Sequence, residues 1–134
     1  MEILTHTKPV KSVRDGLDFF GIEPAQGAPT FVIDADGKLH ALILSAARGH
    51  IDFKKLAKLL GAENAELASR RRVESATGIP IGAIPLTGLN MPYVLDASLL
   101  RHDYVYGGTG CFHTTAKASP QELIAINQIE LFYE

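Results

Sequence analysis

Tryptophan is absent from this 134-residue chain, and cysteine occurs once, as Cys111. A single thiol excludes an internal disulfide and suits a reducing compartment. No apolar run approaches the roughly 20 residues that cross a bilayer, so no membrane association is expected. The start, Met1-Glu2-Ile3-Leu4-Thr5-His6, lacks the basic-then-apolar layout of a secretion signal, so a cytoplasmic location is expected. Self-sufficient catalytic signatures are missing as well. There is no Gly-x-Ser-x-Gly and no His-Glu-x-x-His. Gly107-Gly108-Thr109-Gly110 lacks the Gly-Lys-Ser/Thr ending of a phosphate loop and reads mainly as a hairpin turn. Repeats, low-complexity tracts and linkers are also lacking, and residues 1–134 are expected to form a single domain.

What is present is a globular composition, 46% hydrophobic, with a net charge of only −2. That charge is unevenly spread. The segment from Arg48 to Arg72 holds seven Lys/Arg and three acids, hence +4, and the remainder carries −6. Such an asymmetry fits either one basic face for a phosphate backbone or solvated helix surfaces.

Periodicity predicts a mixed α/β (α+β) domain with a largely antiparallel or mixed sheet and three to four flanking helices. A short edge strand opens the chain. Pro9 suits the first turn of a helix that carries Val10, Val13, Leu17 and Phe20 and stops at Gly21. Phe31–Ile33 and Leu39–Leu44 flank a turn at Asp34–Gly37, a hairpin pattern. Asp52 caps a helix through Leu60, Ser69 caps another through Ala76, and Ser119-Pro120-Gln121-Glu122 opens a third. Short strands are expected at Ala65–Ala68, Met91–Leu95, Asp103–Tyr106, Cys111–Thr115 and Leu131–Tyr133, with a turn or one helical turn at Asp96–Leu99.

Residues 78–88, Gly-Ile-Pro-Ile-Gly-Ala-Ile-Pro-Leu-Thr-Gly, are the most unusual stretch. Three glycines and two prolines hold a backbone in set turns with little side chain in the way. Exposed N–H groups in such a loop can grip a carbonyl or carboxylate, and a rigid connector is the other reading. Cys111 and His113 would alternate on one strand face, where a thiol and an imidazole could bind metal or pair as nucleophile and base. No second close pair completes a metal site. A buried cysteine beside a polar strand residue is the expectation, with no metal and no cofactor.

The order of segments resembles the YbaK-like family, which includes the editing domain inserted in bacterial prolyl-tRNA synthetases and its free-standing relatives. The likeness rests on four stretches: Ile51–Ala62, Thr77–Leu86, Tyr93–Leu100, and Val105–Gly110 followed by Ser119–Leu123. It implies a deacylase that hydrolyses the ester between a wrong amino acid and the tRNA 3′ end. In that reading Gly82, Ala83 and Ile84 line the site, and Gly78, Pro85 and Gly110 complete its substrate contacts. Thr30 orients water or the substrate amine, and Asp96 holds the loop or contacts the amino group. Lys54, Lys55, Lys58, Arg70 and Arg71 would meet tRNA phosphates. The implied partners are tRNA and an aminoacyl-tRNA synthetase, with the protein as monomer or homodimer. Two positions depart from the pattern. Pro29 stands where active relatives usually carry a lysine, and Pro85 lies about one place before the family's loop proline. These departures keep two alternatives open: a non-catalytic module that binds a small molecule or an aminoacyl end, and hydrolysis of some other acyl ester.

Overall fold

The computed structural model describes all 134 residues. In chain order the elements are β1 (Glu2–Thr5), α1 (Val13–Phe20), β2 (Thr30–Ala35), β3 (Lys38–Ile43), α2 (Phe53–Leu59), β4 (Ala65–Leu67) and α3 (Arg70–Thr77). They continue with β5 (Tyr93–Asp96), β6 (Val105–Gly107), β7 (Thr114–Ala118), α4 (Pro120–Asn127) and β8 (Leu131–Tyr133). Short 3-10 turns lie at Pro24–Gln26, Ile81–Ala83 and Ala97–Arg101.

Local chemistry explains most of these boundaries. Ser12, Asp52 and Ser69 each accept a backbone N–H three residues on, as N-caps do. Ser119 and Glu122 form a full capping box with Pro120 at the first helical position. Such a cap is worth about 1 kcal/mol. Strands β2 and β3 pair antiparallel from Thr30↔Ile43 to Ala35↔Lys38, leaving Asp36 and Gly37 as a two-residue loop. Both have positive φ, 51° and 91°, as the tightest hairpin turns require. The Asp36 carboxylate also accepts the Glu63 and Asn64 amides, which ties the start of β4 to this turn.

The strands form two sheets where one was expected. The larger has the order β4-β2-β3-β5-β8, antiparallel at the β4 side and parallel from β3 through β8. The smaller is antiparallel throughout, β1-β7-β6. Alternation along each strand gives the large sheet two buried faces. One face, with Ile33, Leu42, Leu44 and Val94, receives Leu56 of α2. The other face, with Ala41, Ile43, Tyr93 and Leu95, packs against Val105, Ala116 and Ala118 of the small sheet and Leu123 of α4. Each fully buried aliphatic side chain contributes roughly 1.5–3 kcal/mol. Single parallel bridges, Gly27↔Tyr106 and Pro85↔Gly108, join the two layers.

Two expectations are corrected. Pro9 lies outside α1, whose cap is Ser12, so the helix begins at Val13. Cys111 and His113 are not on a strand: β7 starts at Thr114, and both residues are exposed in the turn before it. The reason is local. Thr109 Oγ1 hydrogen-bonds with Thr114 Oγ1 at 2.5 Å and lies 3.3 Å from Cys111 N and from Cys111 O. These bonds fold residues 109–114 on themselves.

Candidate active site

A cleft of about 300 Å³ opens between the two layers. Its floor is the start of β2, Ala28 to Phe31. Residues 81–84 of the Gly/Pro loop form one wall, and Tyr106 to Gly108 form another. The roof is α1, which turns Val13, Gly16, Leu17 and Phe20 toward the cavity. These positions fall at i, i+3, i+4 and i+7, one face of the helix, while Phe19 stands off it and packs on His6 and Phe20. No side chain of α1 is fully buried.

The walls meet because glycines let backbones touch. A Cβ on Gly82 would stand 2.3 Å from the Lys11 carbonyl oxygen. One on Gly108 would stand 2.3 Å from the Ile84 oxygen, and one on Gly107 would strike Leu86. The loop is then pinned from outside. The Gly110 amide donates to Ala83 O, the Leu86 amide to Gly108 O, and Asn127 Nδ2 to Leu86 O at 2.8 Å. Tyr93 Oη donates to Pro85 O and accepts from the Leu89 amide. Burial pushes the Tyr93 hydroxyl up to about 12, so it stays a neutral donor.

Within this frame one buried side-chain polar group has no partner. Thr30 is 6% exposed, and its Oγ1 is the one buried side-chain polar atom without a hydrogen bond. The Gly82 amide, on an exposed residue of the loop, donates to no group of the chain. A buried unpaired hydroxyl costs about 1–3 kcal/mol, and this one belongs to a residue that borders the cleft. No three His, Cys, Asp or Glu side chains come together as a metal cluster.

The expected site residues divide. Thr30, Gly82, Ala83 and Ile84 line the cleft together. Gly110 supports the loop from behind, Pro85 within it bridges to Gly108, and Gly78 caps α3; none of the three lines the cleft. Asp96 lies apart from both loop and cleft, which corrects the contact expected of it. Its carboxylate is wholly buried and taken by Arg48 Nε and Nη2 (both 2.9 Å), the Ser45 amide, and the Ser98 amide and hydroxyl. Burial raises its pKa, but these donors outweigh burial and hold the carboxyl below its ordinary value. Lys54, Lys55 and Lys58 ride on α2, over the sheet face opposite to that of Thr30. Lys55 bonds the Glu134 carbonyl. Arg70 and Arg71 lie on α3, which packs Val73 against Val32 and Ile84 on the cleft side.

The roof was missed in the sequence. Val13, Leu17 and Phe20 were visible as a helical stripe, but that stripe faces a cavity rather than a core. The signal was Gly16 in mid-helix, where glycine costs about 1 kcal/mol against alanine and serves no turn. A second hollow, about 610 Å³, lies beside Gly37–Leu39 and residues 88–92. It holds none of the expected site residues except as neighbours, and its one buried-side hydroxyl, Thr77, already donates to Val73 O.

This α/β fold, with a glycine-pinned cleft over a β-strand start, defines a class that comparison with known proteins names. The family model described as the aminoacyl-tRNA editing domain matches residues 7–126. The chain therefore belongs to the aminoacyl-tRNA editing domain family. It is 33% identical over 98 residues to the proline–tRNA ligase of Desulfotalea psychrophila, covering 72% of this chain and 17% of that protein. It is 34% identical over 105 residues to the proline–tRNA ligase of Geobacter metallireducens, covering 76% and 18%. The chain thus spans less than a fifth of the length of these relatives. Among solved structures, one described only as a hypothetical protein superposes with a TM-score of 0.91 at 25% identity, over 98% of this chain and 88% of that one. A candidate trans-editing enzyme for prolyl tRNA synthetase superposes with a TM-score of 0.84 at 23% identity, over 97% and 83%, and shares the fold. No helix is long and apolar enough to cross a membrane.

Proposed function

We infer that residues 1–134 act as one editing unit that hydrolyses the ester of mischarged aminoacyl-tRNA in trans. The observation that carries this reading is the unpaired Thr30 hydroxyl in a cleft whose opposite wall offers the free Gly82 amide. An aminoacyl ester supplies what both lack. Its carbonyl oxygen accepts from the Gly82 N–H, and Thr30 Oγ1 accepts from the attacking water. Water adds to the carbonyl carbon, the bond to the ribose oxygen breaks, the ribose hydroxyl recovers a proton, and the free amino acid leaves. Positioning and one oxyanion donor can supply much of the rate on an activated ester.

The tRNA contact we assign to Arg70 and Arg71, beside the loop, and only indirectly to the lysines of α2. Contacts to phosphates weaken steeply with salt. Association with a prolyl-tRNA synthetase is the matching partner reading, since the relatives carry this segment inside such enzymes.

The test is a panel of tRNAs carrying mismatched labelled amino acids, followed for ester loss against a no-protein control. One species lost faster, and slowed by Thr30→Val, supports the reading. Background loss of every species defeats it.

A second reading is a module that binds without cleaving. It is favoured by Pro29, which lines the cleft where the resemblance places a lysine, leaving Lys11 as the one cationic residue of the lining. Pro29→Lys discriminates: hydrolysis that appears only in the variant means binding alone in this chain.

A further inference from the structure

An aminoacyl ester has one charged group near the scissile bond, its α-amine. In free form an α-amine titrates at about 8, so it is largely an ammonium at pH 6 and largely neutral at pH 9. The cleft offers no counter-charge to it. No aspartate or glutamate lines it. Its titratable side chains are Lys11, Tyr106 and Cys111.

The acids of the surrounding elements lie outside the lining: Glu23, next to Ile22, is exposed, and the others have partners. On α1, Asp15 accepts the Lys11 amide and Asp18 pairs with Arg14, both in solvent. On β2, Asp34 pairs with Arg72 and also accepts the Gly37 amide. Behind the roof, His6 packs on Phe19 and Phe20 with its ring nitrogens on Lys8 O and Thr115 Oγ1. The 81–84 wall and the Thr114–Thr115 edge carry no charge at all. What remains is neutral: the hydroxyls of Thr30, Ser12, Thr114 and Thr115, among aliphatic side chains and the rings of Phe20, Phe31 and Tyr106. An ammonium moved into such a lining, with a lysine at its rim, loses hydration without a counter-charge.

We propose that the cleft takes acyl groups whose α-substituent is uncharged, so that esters of α-hydroxy acids and N-acylated amino acids are substrates. Aminoacyl esters then enter in their neutral-amine form. This rests on the editing reading above. The α-hydroxyl or amide N–H takes the place of the amine among the neutral side chains of the lining, Thr30 Oγ1 keeps the attacking water, and hydrolysis proceeds with the same bonds made and broken.

The test uses stable analogues, alanyl and lactyl amides of 3′-amino-3′-deoxyadenosine, with binding to the intact protein measured at pH 6 and pH 9. The lactyl analogue should bind equally at both, which also controls for titration of the protein's own groups. The alanyl analogue should bind roughly tenfold or more weakly at pH 6, following its neutral fraction. Tighter alanyl binding at pH 6, or failure of the lactyl analogue while the alanyl one binds, overturns the inference and leaves the editing reading standing. If neither analogue binds at either pH, the cleft is not an acyl site and both fall. With the esters on tRNA, lactyl loss at pH 6 above the uncatalysed rate and faster than alanyl loss is the expected companion result.

Discussion

Two buried polar places in this protein are built on opposite rules. Around Asp96 every oxygen is occupied: two bonds from Arg48, two from Ser98 and one from the Ser45 amide. The guanidinium also stacks on Tyr133, 4.7 Å from its centroid. At Thr30 a hydroxyl of similar burial has nothing. The first arrangement fixes where β5 ends and holds the 45–48 segment to it. The second adds no hydrogen bond to the fold and leaves a polar atom free beside the cleft. A buried carboxylate is thus no better a sign of chemistry than its free lone pairs allow.

The sharpest way to break the comparison is Asp96→Asn. It leaves Arg48 half-buried without its partner and should cost about 3–5 kcal/mol, read as the midpoint of chemical unfolding. Since the Asp96 carboxyl titrates low in the fold, its contribution is complete above the ordinary value of about 4 and is lost as pH falls through that value to the folded one. The stability of the parent should therefore drop on acidification more steeply than that of the Asn variant. At the other pole, Thr30→Val should raise stability by about 1 kcal/mol, because an unpaired hydroxyl is removed from a strand. It should also lower ester hydrolysis about tenfold to a hundredfold. A variant that loses both stability and activity would show Thr30 to be merely structural.

Tyr93→Phe lies between the poles. It removes the bonds to Pro85 and Leu89 while keeping the ring, and should cost about 1–2 kcal/mol with the loop as the first segment to exchange its amides. The smallest effect is Gly16→Ala. The added Cβ meets only Val10 Cγ1, at 3.4 Å, so helix propensity should gain about 0.5–1 kcal/mol in thermal unfolding. The methyl faces the cleft, and it should tilt preference toward smaller acyl groups.

Local signals made most of the elements legible. Asp52, Ser69 and Ser119 announce their helices because a cap satisfies donors within three residues. Asp36-Gly37 announces its hairpin because few residues accept that turn. The separation into two sheets was not legible, since the parallel partners β3, β5 and β8 are joined by register and not by turns. The loop at 78–88 was visible as a rarity. Of its partners, Tyr93 lies close by in sequence, but Lys11, Gly108 and Asn127 come from three other segments, and no local pattern names them. Asp96 misled for the same reason: Arg48 lies 48 residues away, so the sequence shows an acid but not its counter-ion.

The roof has a kinetic meaning. Because α1 seals none of its side chains in the core, lifting it exposes little new apolar surface, and opening is cheap compared with global unfolding. An acyl group in the cleft would give Leu17 and Phe20 the contacts they lack, so occupancy should slow amide exchange in residues 13–20 first. If the cleft takes an acyl end, its entry and exit would be timed by this one helix, while the glycine-pinned walls keep their shape.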